Sequence, residues 1–91
     1  VSAPQEFVLE QNYPNPFNPT TTINYNVARQ ARVKLVVYNV LGREVSTLVD
    51  DVKSVGNYSV RFDAANLGTG TYVYRLSAGD QAFTKKMMLL K

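Results

Sequence analysis

The sequence predicts an all-β protein, an Ig-like antiparallel β-sandwich of about seven strands. Apolar and polar residues alternate along most of the 91 residues, and this alternation is typical of strands with one buried face. Turn-forming residues separate the alternating segments at intervals of about 8–14 residues, a spacing typical of sandwiches. The predicted strands are, in order, Phe7–Gln11, Thr21–Val27, Arg32–Val40, Glu44–Val49, Tyr58–Asp63, Thr71–Ala78 and Ala82–Leu90.

The segment Arg32–Val40 gives the strongest strand signal. Its residues Val33, Leu35 and Val37 alternate with Lys34, Val36 and Tyr38. Because both faces carry apolar side chains in its middle, we expect this strand at the centre of a sheet. Residues 39–42 predict a hairpin turn in which Gly42 supplies a positive φ. The chain then returns through a strand in which Val45, Thr47 and Val49 alternate with Ser46 and Leu48.

The other segments show one-sided alternation separated by polar turns. The predicted inward residues include Ile23, Tyr25, Val27, Tyr58, Val60, Phe62, Tyr72, Tyr74 and Leu76. Residues 50–57 are polar and end in a Gly-Asn pair, so we expect a loop there. Residues 64–70 are expected to form a single helical turn that stops at two glycines, and residues 79–80 mark the last turn.

The composition excludes most catalytic chemistry. The chain contains no Cys and no His, so it lacks disulfides, thiolate metal ligands and the commonest general base. The adjacent carboxylates Asp50 and Asp51 would point to opposite faces of an extended strand, which disfavours an acid–base pair. We therefore expect no enzymatic activity, no metal and no cofactor.

The charge balance is mildly basic, with ten Lys and Arg against seven Asp and Glu. The basic residues are spread from Arg29 to Lys91, whereas nucleic-acid binders concentrate them on one face. We therefore expect no nucleic-acid partner. No apolar run approaches the roughly 18 residues of a membrane span, so we also expect no membrane insertion.

Residues 11–20 form the most unusual stretch, because they hold three of the four prolines. Pro fixes φ and pushes the preceding residue toward extended geometry, and Asn side chains stabilise turns by bonding to nearby backbone. We interpret the stretch as a rigid loop that crosses between the sheets, with Phe17 buried as a plug at one end of the sandwich. The alternative is a recognition segment for an aromatic groove of another protein.

Residues 85–91 combine basic side chains with an apolar run. One interpretation is a final strand that is partly buried on both faces and carries Lys at its ends for solubility. The other is a strand displayed to a receptor: held by few neighbours, it would open easily and offer its backbone for strand addition.

The tyrosines allow two interpretations as well. Tyr72 and Tyr74 share a face and could form a platform on which a sugar ring stacks. Burial in the core is the favoured interpretation, because Tyr is common in sandwich cores when its hydroxyl finds a partner.

Four motifs in this order resemble the type A C-terminal sorting domain of the type IX secretion system. They are Gln11–Ile23 (QNYPNPFNPTTTI), Val37–Val45 (VYNVLGREV), Leu67–Leu76 (LGTGTYVYRL) and Thr84–Lys91 (TKKMMLLK). The resemblance extends over residues 7–91, nearly the whole chain. Phe62 stands where the family often has Trp, a difference that concerns packing.

The resemblance implies a β-sandwich that directs an N-terminal cargo domain of the same polypeptide to an outer-membrane translocon. The implied partners are the type IX machinery and a sortase-like peptidase that removes the domain. The cargo would pass through the periplasm and outer membrane, and would then be released or attached at the cell surface. By the family's motifs, the translocon-recognition residues are Gly70, Tyr72, Lys85, Lys86 and Lys91.

On this interpretation, residues 1–6 are a linker remnant and residues 7–91 are the sorting domain. Two other functions remain open from the sequence. The opening motif also resembles the Ig-like domain of flagellar hook-capping proteins, which would make the chain a structural assembly module. A surface glycan-binding accessory domain is the third candidate, and it would require exposed coplanar aromatic rings.

Overall fold

The computed structural model describes residues 6–91 and confirms the all-β class. Its strands are β1 (Val8–Leu9), β2 (Thr20–Val27), β3 (Ala31–Tyr38), β4 (Glu44–Lys53), β5 (Gly56–Asp63), β6 (Gly70–Ala78) and β7 (Gln81–Leu89). Of the predicted linker remnant, residues 1–5 lie outside the described residues. Nowhere in residues 6–91 is there a helix long and apolar enough to span a membrane.

The strands form two antiparallel sheets, which face each other across a shared core. One sheet has the order β1-β2-β5 and the other the order β4-β3-β6-β7. The position of β3 between β4 and β6 confirms its predicted central place. Its side chains Val33, Leu35 and Val37 are fully buried between the sheets, whereas Val36 is buried outside that core cluster, on the outer face.

The predicted polar loop at residues 50–57 is largely strand. β4 continues to Lys53, which lies opposite Ala31 of β3, and β5 already begins at Gly56. The acidic pair in this stretch is exposed, and Arg32 binds Asp50 with a 2.8 Å contact between Nη2 and Oδ1. β4 is an edge strand, so its exposed positions can be polar. Backbone pairing with β3 extends it through residues whose polarity alone predicted a loop.

The predicted strict alternation in β4 is also wrong. The register with β3 shifts between Leu35 and Val36, and shifts again between Val37 and Tyr38. Each shift inserts an extra residue into β4, which changes the face that the following side chains occupy. As a result Val45, Leu48 and Val49 all pack against the core.

The predicted helical turn at residues 64–70 is a tight turn instead. The Leu67 N–H donates to the Ala64 carbonyl at 3.0 Å, and the Ala65 N–H donates to Asp63 Oδ1 at 2.9 Å. The turn does not continue as a helix, because Gly68 and Gly70 follow it.

Phe17 is buried, as the sequence predicts for a plug in the proline-rich loop. Its side chain is 2 % exposed, and its ring centroid lies 6.2 Å from that of Phe62 on β5. Its backbone forms a parallel bridge to Leu89 of β7. Phe17 therefore joins the last strand of one sheet to the edge strand of the other.

The final strand β7 is buried on one face only. Met87 and Leu89 are fully buried in the core, whereas Met88 and Leu90 on the alternate face are exposed. The interpretation with both faces partly buried is therefore wrong. The reason is that β7 is an edge strand whose outer face has no second layer of chain within residues 6–91 to cover it.

Candidate recognition surface

The outer edge of β7 is closed by the loop that precedes β2. The Gln11 side-chain amide donates to the Lys86 carbonyl at 2.7 Å, and the Met88 N–H donates to Asn15 Oδ1 at 2.9 Å. The Phe17 N–H donates to the Met88 carbonyl at 2.9 Å and its carbonyl accepts from the Leu90 N–H at 3.0 Å. We call Gln11, Asn15 and Phe17 the edge cap.

The edge cap corrects one expectation about β7. One interpretation of the sequence was a final strand that is held by few neighbours and would open easily to offer its backbone for strand addition. Instead β6 pairs with it from Gln81 to Leu89, and the edge cap binds its other side from Lys86 to Leu90. Capping an edge in this way prevents it from pairing with another chain. The backbone of this half of β7 becomes available only when the cap is displaced.

Three of the predicted recognition residues lie together around the loop at residues 64–70. Tyr72 is nearly buried, and its hydroxyl donates to the Gly68 carbonyl at 2.7 Å. The Lys91 N–H donates to Thr69 Oγ1 at 3.1 Å, and Lys91 Nζ donates to the Ala65 carbonyl at 2.5 Å. These contacts tie the chain segment after β7 to the loop before β6.

Gly70 supplies the backbone geometry at this loop. Its φ is +154°, a value that residues with a side chain rarely adopt. It pairs with Leu89 in the first position of β6. Gly70, Tyr72 and Lys91 thus shape one end of the domain.

The two remaining predicted residues are separated by the pleat of the strand. Lys85 is half-buried on the inward side opposite Tyr74, and Lys86 is exposed on the outer face opposite Val73. Adjacent residues of a strand point to opposite faces. Lys85 and Lys86 therefore do not present one combined positive patch, and Lys86 is the one that lies on open surface.

A buried polar network beneath the edge cap was not predicted from the sequence. The Asn12 side-chain amide donates to Thr21 Oγ1 at 3.0 Å and to the Pro14 carbonyl at 3.1 Å. The Asn12 N–H donates to the Tyr74 hydroxyl at 2.7 Å, and that hydroxyl donates to the Glu10 carbonyl at 2.7 Å. The only available signals were the turn-forming tendency of Asn and the need of a buried Tyr for a partner.

Removing the Tyr74 hydroxyl should destabilise the domain. Tyr74→Phe leaves the buried Asn12 N–H without its acceptor and the Glu10 carbonyl without its donor. Such losses cost about 1–3 kcal/mol of unfolding free energy. Urea denaturation followed by circular dichroism measures the change. The matched control is Tyr13→Phe, since Tyr13 is 80 % exposed and should change stability by less than about 0.5 kcal/mol. Equal stability of both variants would contradict the network's role.

The same variant should alter the response of stability to alkaline pH. Burial raises the pKa of Tyr74 to about 12, and the hydrogen bond from the Asn12 N–H acts in the opposite direction. In the unfolded chain the pKa is about 10, so the unfolded state loses this proton first. The stabilisation is complete below about pH 10 and is lost as the pH rises toward 12. Tyr74→Phe should therefore lose less stability than wild type over this interval.

The tyrosine platform expected of a glycan-binding module does not exist at Tyr72 and Tyr74. Their side chains are 8 % and 0 % exposed, so neither ring face is open to a sugar. Their burial confirms the interpretation as core residues and weakens the glycan-binding alternative. Among the residues that the structure describes, no group of three or more Asp or Glu side chains is placed to hold a metal ion.

These features define a small β-sandwich module whose opening and closing motifs are joined at one sheet edge. The sequence model of the family described as "Secretion system C-terminal sorting domain" matches residues 11–90. The chain therefore belongs to this family of type IX secretion sorting domains. No curated protein and no solved structure matches the chain significantly.

Membership of the family gives the general role of the domain. It is a sorting signal of the type IX system, which implies attachment to an N-terminal cargo, interaction with the secretion machinery and export across the outer membrane. The family is one of sorting signals and not of enzymes. The match favours sorting over the assembly-module alternative.

Proposed function

We propose that the folded domain delivers its cargo to the type IX translocon and is then removed by a sortase-like peptidase, after which the cargo is released or attached at the cell surface. The observation that carries the delivery step is the family match over residues 11–90. The contacts between the family's opening and closing motifs support recognition of the assembled fold, because the edge cap makes them one continuous surface.

Within this surface the predicted recognition residues differ in role. Lys86 offers an exposed positive charge on the outer face of β6 and β7. Gly70, Tyr72 and Lys91 act by shaping the end of the domain where the closing motif meets the loop before β6. Lys85 is half-buried, so its charge is less accessible to a partner than that of Lys86.

Export of a reporter tests the delivery step. A fluorescent protein fused to residues 1–91 should reach the medium or cell surface of a host with a type IX system. A fusion to residues 1–89 should be exported several-fold less, since it lacks Lys91 and the Leu90 N–H that binds Phe17. It should still fold, because both deleted residues are exposed. Equal export of both folded fusions would mean that the tail serves packing alone.

A charge-matched pair of variants tests the role of Lys86. Lys86→Gln should reduce export, whereas Arg61→Gln should not, because Arg61 is exposed on the opposite sheet. Electrostatic attraction of this kind weakens with salt. Equal export of the two variants would show that Lys86 is not part of the recognition surface.

The removal step is tested by the size of the exported reporter. It should be shorter than the full fusion by about the 91 fused residues, and should keep full length in a host that lacks the sortase-like peptidase. Full-length reporter in the medium of the intact host would exclude removal while leaving delivery supported.

A further inference from the structure

The turn between β3 and β4 presents two large aliphatic side chains to solvent. Val40 is 73 % exposed and Leu41 is 75 % exposed. Single exposed hydrophobic residues are normal on a protein surface, whereas large contiguous apolar patches mark interaction sites. Here they are adjacent, and neither belongs to the core or packs against it.

The turn that carries this pair is held rigid by Asn39. Its side-chain Oδ1 accepts from the N–H groups of Leu41 and Arg43 at 2.9 and 3.0 Å. Its backbone carbonyl accepts from the Gly42 N–H at 3.0 Å, and its N–H donates to the Arg43 carbonyl at 2.9 Å. Gly42 adopts the predicted positive φ, +80°. A preorganised turn loses little conformational entropy when it binds a partner.

A groove adjoins the turn on the outer face of the four-stranded sheet. It has a volume of about 350 Å³, and its lining includes Tyr38, Val40, Val73, Arg75 and Thr84. Val40 belongs both to the turn and to the lining of the groove, so the exposed pair directly adjoins the groove. A protrusion next to a groove has a shape that another protein can match, whereas a bilayer surface would leave the groove unfilled.

The charges around this surface are mostly positive. Arg43 follows the turn, Arg75 lines the groove, and Lys86 lies beside Val73 on β7. Within residues 6–91 the ion pairs are Arg29–Asp80 and Arg32–Asp50, so none of these three cations is engaged in one. The nearest acid on the face, Glu44, accepts a hydrogen bond from Thr47. A complementary partner surface must carry carboxylates around an apolar centre.

We propose that Val40, Leu41 and the adjoining groove form the docking surface for a protein component of the secretion machinery, one with an apolar pocket rimmed by acidic side chains. The inference rests on the proposed delivery function. It adds a site on the β3–β4 turn to the recognition residues at the closing motif. Lys86 of that motif lies opposite Val73, which lines the groove.

Export of the reporter fused to residues 1–91 tests the docking surface. Val40→Ser combined with Leu41→Ser should reduce export at least tenfold. The matched control is Val52→Ser combined with Val55→Ser, because these valines are also exposed. Val52 lies near the far end of β4, and Val55 lies in the turn between β4 and β5. Both double variants should keep the wild-type thermal midpoint, since all four side chains are exposed. Arg75→Glu, which leaves the turn intact, should also reduce export.

The outcomes separate the inference from the function on which it rests. Failure of the wild-type fusion to be exported would reject the delivery function and the inference together. Normal wild-type export with equal export of both double variants, whether high or low, would reject the docking surface alone. A photoreactive residue at position 40, but not at position 52, should crosslink to a type IX outer-membrane protein.

A bilayer is the competing partner, and it has its own test. The purified 91-residue chain is sedimented with vesicles of phosphatidylethanolamine that contain about one-quarter phosphatidylglycerol as the anionic lipid. No binding is expected. Binding that disappears in the Val40→Ser, Leu41→Ser variant would overturn the proposal in favour of a lipid surface.

Discussion

Replacing Phe17 with Ala should lower the free energy of unfolding by about 3–5 kcal/mol, the usual cost of removing a buried aromatic ring. The ring is 2 % exposed and packs near Phe62. Its loss leaves a cavity at the end of the sandwich where the edge cap meets β7. Because a small domain has a total stability of about 5–15 kcal/mol, this loss would remove a large fraction of it. Urea denaturation followed by circular dichroism measures the change.

The matched control is Tyr13→Ala in the same loop. Tyr13 is an aromatic residue of similar size whose side chain is exposed, so its removal should change stability by less than about 0.5 kcal/mol. A loss below 1 kcal/mol for Phe17→Ala would show that the plug does not contribute as its burial indicates. It would then restore the interpretation of the loop as a segment for recognition by another protein.

Replacing Leu35 with Ala should cost about 2–5 kcal/mol, from lost burial plus the cavity that remains. Leu35 is fully buried at the middle of β3, between Val49 of β4 and Leu76 of β6. The central strand is paired on both sides, so neighbouring strands have little freedom to collapse into the space. The midpoint and slope of urea denaturation give the change in stability.

Lys34→Ala provides the comparison for Leu35→Ala. Lys34 is the preceding residue on β3 and its side chain is exposed on the outer face, so only a small change is expected. A loss well under 1 kcal/mol for Leu35→Ala would contradict the assignment of β3 as the centre of the core. Similar losses in both variants would point to an effect of backbone propensity instead of burial.

The sequence was most informative where alternation and burial coincide. The central place of β3 was predictable because apolar residues occupy both of its faces. The burial of Phe17 was predictable because it is a lone aromatic residue among turn-forming residues. β4 was mispredicted because its length comes from pairing with β3. Its two bulges, opposite Leu35/Val36 and Val37/Tyr38, depend on the partner strand. Single-sequence alternation carries no information about either.

The family resemblance proposes members for the candidate site, whereas the geometry of the site could not be predicted from the sequence. The closing motif indicated Lys85 and Lys86, but their placement on opposite faces follows from the pleat of a strand that is buried on one side. The edge cap was not predictable, because its hydrogen bonds join Asn15 to Met88, which are 73 residues apart. Val40 and Leu41 were visible as apolar turn residues, yet only the fold shows that no core residue covers them.

The hydrogen bonds between the edge cap and β7 make completion of the fold depend on completion of synthesis. The cap residue Asn15 is translated 73 residues before its partner Met88, so this sheet edge cannot be capped until β7 has been synthesised. Contacts between distant segments also slow folding. A chain interrupted before Met88 keeps both the cap and the sheet edge unpaired, and an unpaired edge invites association with other chains. The closed edge is thus a physical sign that β7 has been synthesised and has paired with the rest of the sandwich.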